Sequence, residues 1–290
     1  MVYLLGSVIL TCCFIVLLKY SNNKGLNNFE IITFNYWVCV IVGSFVNGQY
    51  PIQLNSALPS WACWAIVVGI FFIITFNLIA FTTQKIGISV ASVTHKLSLI
   101  IPFIFSIYLY HDQAGILKWI GLVIGLVAVW FACFSAKNDT ASSSSLLRSI
   151  ILLALFIISG LSDTLIKYVE KNYLDKTNNN AFLATSFSVA ALIGTIGLLY
   201  RYLILKKNVQ WKAVLAGIGV GIINYFSIWC LIKVLQQYTN NSTTIIPVNN
   251  MGIVVLNTIA GAILFKEKLS IANWIGILLS LVAIIFIAYG

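Results

Sequence analysis

Charge is what this 290-residue chain has least of. Asp, Glu, Lys and Arg together make up 8% of it, where a soluble domain carries about 25%. Hydrophobic residues are 60% and the mean hydropathy is +1.00, so the polar surface of a water-soluble domain of this length cannot be built, and the solvent is lipid. The continuous polar stretches, 21–30, 136–145, 169–180 and 205–212, are too short to form an extramembrane domain. The net charge of +10 is spread over many loops, which excludes nucleic acid as a partner and leaves orientation and contact with anionic lipid or substrate.

Other scarcities narrow the chemistry. There are two histidines, His95 and His111, and they do not form a metal-ligand pair on one helix face. The six cysteines (Cys12, Cys13, Cys39, Cys63, Cys133, Cys230) all lie in apolar runs, as small hydrophobes do, and outline neither a disulfide framework nor a zinc site. No glycine-rich loop ends in Lys-Ser or Lys-Thr, so the chain lacks the usual means of hydrolysing ATP. No cofactor is implied. The first apolar run has neither a charged leader nor a small-residue cleavage site and is expected to be a retained span.

What the chain has in quantity is apolar runs of spanning length, about 20 residues each. They lie near 2–19, 29–47, 61–83, 87–110, 114–134, 147–169, 179–203, 211–236, 242–265 and 270–289. They are apolar on all sides, which predicts helices rather than the alternating strands of a barrel. The landmarks of the first five recur in the second five. Trp119-Ile120-Gly121 returns as Trp274-Ile275-Gly276, Leu18-Lys19-Tyr20 as Ile166-Lys167-Tyr168, and Trp61, Gly69 and Phe76 as Trp211, Gly219 and Phe226. The pattern divides the chain into a repeat over 1–135, a polar linker over 136–146 and a second repeat over 147–290. Five is odd, so a linker that stays on one side of the membrane inverts the second repeat. Small residues four apart (Gly121 and Gly125; Gly276 and Ser280; Ala213, Gly217 and Gly221) let helices approach closely, within the chain or across a homodimer interface.

Ten short helices in a five-plus-five duplication resemble the drug/metabolite transporter superfamily, especially its EamA-like members. So does an acidic residue closing the fourth helix of each half (Tyr110-His111-Asp112; Phe265-Lys266-Glu267) before a glycine-containing fifth. Asp112 stands where that pattern usually has Glu, and Lys96 lies in a helix that most such proteins keep neutral. The resemblance implies a secondary transporter that moves a small molecule by alternating access around a central cavity, set in the cell membrane (the inner membrane of a Gram-negative bacterium), with both termini in the cytoplasm. The basic residues point the other way: eleven fall in loops after odd-numbered spans and five after even-numbered ones, which by the positive-inside rule puts both termini outside. The orientation adopted follows the resemblance.

Polar residues inside spans are costly and therefore mark candidate sites. Lys96 lies well within the fourth span, on one stripe with Ser89 and Ser92, and Pro102 frees a backbone carbonyl near the same depth. His95 points about 100° away. Asn250 and Asn257 share a face of the ninth span. Asn35, Asn77, Asn224, Tyr225 and Trp229 are further candidates for the substrate cavity, the last two as stacking surfaces. Asp163 and Lys167 have the spacing of an intrahelical ion pair. Lys19, the counterpart of Lys167, has Ile15 where its twin has Asp163; it is placed at an aqueous cavity mouth or, as the first expectation, snorkels to the helix end. Asp112 and Glu267, at helix ends, suit a structural or gating role. The competing class is a membrane transferase using His111 and Asp112 at the interface or His95 within the bundle. It leaves the duplication unexplained.

Overall fold

The computed structural model describes residues 2–48, 58–110, 115–134, 144–174, 178–237 and 242–289. It is 88% helix. In chain order the helices are α1 (Val2–Asn23), α2 (Asn28–Asn47), α3 (Ala62–Lys85), α4 (Ile88–Leu97), α5 (Ile100–Tyr110), α6 (Ile116–Phe134), α7 (Ser144–Tyr173), α8 (Asn179–Leu203), α9 (Trp211–Gln237), α10 (Ser242–Leu264) and α11 (Ile271–Tyr289). Seven spans are long and apolar enough to cross a membrane, and three shorter apolar helices, 116–128, 248–264 and 271–287, complete ten.

The eleventh helix comes from the fourth span. The apolar run over 87–110 predicts one helix, yet the chain turns at Ser98-Leu99 and makes two, α4 and α5. Pro102 is the cause. It has no N–H to offer the carbonyl four residues back, that of Ser98, and its ring crowds that position. The Ser98 carbonyl is taken instead by the N–H of Ile101 at 2.9 Å, a tighter turn. The Ser98 hydroxyl donates to the His95 carbonyl at 2.5 Å, satisfying one of the acceptors left open where α4 ends.

The chain forms two compact units, and neither is a half of the sequence. One comprises Met1–Val16, Phe81–Leu161 and Ser227–Gly290, the other Leu17–Ala80 and Ser162–Phe226. Each therefore takes segments from both sides of the 136–146 linker.

In the first unit α6 packs along α11, and α4 along α10. Leu97, Ile100, Leu122, Val254, Ala283 and Ile284 are buried in its core. A Cβ on Gly121 would lie 2.8 Å from Phe286 Cβ and 3.0 Å from the Ala283 carbonyl, so the fifth and tenth spans meet through their small residues. In the second unit α2 lies between α8 and α9. Gly194 and Gly197 admit Thr33 and Phe29, while Gly217 and Gly221 admit Phe34 and Val38. These stripes are filled by helices of the same chain, which is the first of the two uses the sequence left open.

Two glycines of α9 test this packing. A Cβ at Gly217 would sit 2.7 Å from Phe34 Cβ and 2.8 Å from the Ile31 carbonyl, whereas one at Gly219 would meet nothing within 4 Å. Gly217→Ala should destabilise the detergent-purified protein by about 1–3 kcal/mol. Gly219→Ala should be neutral or mildly stabilising, because alanine is the better helix former by about 1 kcal/mol. Thermal unfolding of the two variants checks this.

Candidate functional site

Helix α4 meets α10 through a polar seam. At one end Ser89 bonds Glu267, just beyond α10, and its hydroxyl lies beside the position a Cβ on Gly261 would take, at 2.9 Å. One turn on, Asn257 donates its amide to the Ser92 hydroxyl at 2.9 Å. The contacts run down α10 as they run up α4, so the helices are antiparallel. At 1.5 Å per residue the next turn of α4 brings Lys96 level with Ile253, within a turn of Asn250, which shares the Asn257 face. Lys96 and His95 occupy the last turn of α4, where the partial negative charge of the helix end favours a cation. Lys96, His95 and Asn250 are half-buried, and Ser92 and Asn257 are buried. Asn257 Oδ1, Asn249 Oδ1 and Thr94 Oγ1 are buried hydrogen-bonding atoms with no partner among the described residues.

Trp229 belongs to the same unit. It is half-buried, Tyr3 meets it edge-on at 5.7 Å, and Lys233 Nζ lies 5.5 Å from its ring centroid. Alongside, Val8 of α1 packs where a Cβ on Gly252 would come within 3.1 Å, two residues from Asn250. The structure thus gathers Ser92, His95, Lys96, Trp229, Asn250 and Asn257 in one unit and adds Tyr3 and Lys233, which the sequence reading did not single out. A spacing of four between Trp229 and Lys233 was the available signal.

The remaining candidates lie in the second unit, where the described contacts are helix-to-helix. The Asn224 amide donates to Asn35 Oδ1 at 3.1 Å, and Cys39 Sγ approaches the Gly221 carbonyl at 3.6 Å, joining α2 to α9. Tyr36 donates to the Phe72 carbonyl at 2.8 Å, joining α2 to α3. The Asn77 amide turns back to the Ile73 carbonyl of its own helix. Tyr225 is buried, its ring 3.2 Å from where a Cβ on Gly43 would sit. Asp163 and Lys167 are both exposed on α7. Lys19 is only 9% exposed, and the helix α1 runs on to Asn23, a full turn past it. His111 and Asp112 lie outside the described residues.

One buried acid escaped the sequence reading. Glu30 is 0% exposed. Its Oε2 accepts the N–H of Gln210, just before α9, at 3.0 Å, while Gln210 Oε1 accepts the N–H of Asn27 at 2.8 Å. Asn27 caps α2 by accepting the Glu30 N–H at 3.2 Å. Asn27 and Glu30 have the spacing of a capping box, and that was the missed signal. Among the described residues no three His, Cys, Asp or Glu side chains come together to hold a metal.

The seam between α4 and α10 makes a measurable prediction. In a double-mutant cycle of Ser92→Ala and Asn257→Leu, read by unfolding in bilayer-mimetic micelles, the pair should couple by about 0.6–2 kcal/mol. Additive losses would mean that the bond joins nothing.

These features have relatives. A model of the EamA-like transporter family matches residues 147–289. An uncharacterized protein of Haemophilus influenzae is 30% identical over 289 residues, covering 94% of this chain and 93% of that protein. A crystal structure that is 14% identical and covers 98% of each chain has a TM-score of 0.57, a likeness that speaks to fold alone. With ten apolar helical spans and this kinship, the chain is a multi-pass membrane protein and belongs to the EamA-like transporter family of the drug/metabolite transporter superfamily.

Proposed function

We propose that the chain is a secondary carrier of the cell membrane that binds a small organic anion, a carboxylate or a phosphate ester, and moves it by alternating access. The observation that carries the substrate class is Lys96, a half-buried cation in the last turn that the break in the fourth span creates. The break ends α4 at Leu97 and leaves Lys96 about 12 Å along the helix from Ile88, half-buried beside the Asn257 face of α10. Discontinuous helices form substrate sites in many secondary transporters, because a helix end inside a span offers charge and hydrogen-bonding groups that a continuous helix does not. In this reading Lys96 meets the anionic group, Ser92, Asn250 and Asn257 orient the polar remainder, and Trp229 supplies a ring face. His95 is a packed, neutral neighbour of Lys96. Asp163 and Lys167 are an exposed intrahelical pair, and Lys19 is a buried charge available to ion coupling.

The two five-helix repeats, 1–135 and 147–290, are inverted relative to one another, which places equivalent elements on opposite sides of the membrane. Single cysteines introduced as Val2→Cys and Ser143→Cys should then react with an impermeant reagent from opposite faces. Reaction from the same face contradicts a five-span half.

The substrate class is tested with matched ligands. Thermal shift of the purified protein against a metabolite library finds ligands, and each anionic hit is compared with its neutral amide or alcohol. Lys96→Gln should weaken anion binding by at least about tenfold, the scale of one charge-assisted bond, and neutral analogues by less than about threefold. Equal loss for both classes contradicts an anion site.

A further inference from the structure

Glu267 is the sole carboxylate among the described residues of its compact unit, and it stands at the end of the α4–α10 seam away from Lys96. It lies in the short connection between α10 and α11, with its own N–H held by the Gly261 carbonyl at 3.0 Å. From there it reaches the start of α4. Oε1 accepts the N–H of Ile88 at 2.7 Å, and Oε2 accepts the hydroxyl of Ser89 at 3.1 Å and its N–H at 3.4 Å. The residue before α4 is Gly87, which has no side chain with which to cap the helix. The first N–H groups of a helix have no partner within it, and here a carboxylate 179 residues away in sequence supplies one, with the positive end of the helix dipole adding to the attraction.

The site is shaped for this group. Gly87 has φ +141°, where side chains are strained, and a Cβ there would stand 3.0 Å from Glu267 Oε2. A Cβ on Gly261 would stand 2.6 Å from the same oxygen and 2.9 Å from Ser89 Oγ. Two glycines, one from each half of the sequence, therefore wall a carboxylate-sized space. Helix α4 is ten residues long and its far end stops at the Ser98-Leu99 turn, so its start is the one end held by a charged group, alongside the Asn257–Ser92 bond in mid-helix.

We infer that Glu267 is a positioning residue: a cap lent by the second half to the first-half helix that carries Ser92 and Lys96, fixing where Lys96 stands along α10. The inference rests on the reading of α4 as the substrate helix, but its test does not need a substrate. Amide hydrogen exchange is measured on the intact protein in lipid nanodiscs. Glu267→Gln should accelerate exchange in peptides covering 86–97 by at least about tenfold, the loss of a charge-assisted bond, and leave peptides of α2 and α8 in the other unit as in the wild type. Glu267→Asp keeps the charge and should stay within about threefold of wild type. If Glu267→Gln does not fold, Ser89→Ala removes one of the three donors and should show a smaller acceleration confined to the same peptides.

A second readout follows Lys96 itself. Position 96, as Lys96→Cys, is labelled with a water-soluble methanethiosulfonate and its peptide quantified by mass spectrometry, so the native cysteines do not interfere. Adding Glu267→Gln should change the labelling rate at least about fivefold, and adding Glu267→Asp should not. Unchanged exchange over 86–97, or equal acceleration in both units, overturns the inference. Should exchange respond while Lys96→Gln fails to separate anionic from neutral ligands, the positioning role stands and the anion reading falls.

Discussion

Every backbone N–H and C=O placed in hydrocarbon must find a partner within the protein, and this constraint organises the fold. Along ten spans it is met by helices. It becomes acute wherever a helix begins or stops, because four groups at each end are left over. Helix α4 is where the demand is greatest, with both ends inside the fourth apolar run. Its start is met by the Glu267 carboxylate, and its finish by the Ser98 hydroxyl and a tightened turn before Pro102. Breaking a span in this way has a return: a cation in the last turn of α4 stands at depth without opposing the helix dipole.

Two kinds of glue divide the bundle. Close backbone approach at small residues joins α6 to α11 and α2 to α8 and α9, where dispersion contributes to the contact. Polar bonds join α4 to α10, and α2 to α3 and α9. In the second unit the amide of Asn224 and the hydroxyl of Tyr36 find protein partners. In the first, Asn257 bonds Ser92 with one atom and keeps another without a partner among the described residues. Asn35 Nδ2 in the second unit is likewise without a partner among the described residues.

Much of this was legible in the residues. The apolar runs locate the helices to within a few positions, since lipid leaves one backbone solution and sequence hydropathy reports it directly. Small residues four apart foretold tight helix packing. Pro102 announced a freed carbonyl, yet the run over 87–110 was read as one helix, because proline sometimes only kinks a span. Glu30 went unnoticed although Asn27 and Glu30 have capping-box spacing, the acid having been counted as part of a polar loop. The bond from Glu267 to α4 could not be read at all. Sequence periodicity describes neighbours on one helix, and Ile88 and Glu267 become neighbours only when two distant spans pack.

The central claim is that the bundle carries its ligand across the membrane. Counterflow in proteoliposomes tests it most directly, using a labelled ligand outside and the same unlabelled ligand loaded within. A carrier that alternates access predicts saturable entry that is faster, and transiently overshoots, when the vesicles are preloaded. Entry that neither saturates nor responds to preloading, with ligand binding intact, would contradict the account.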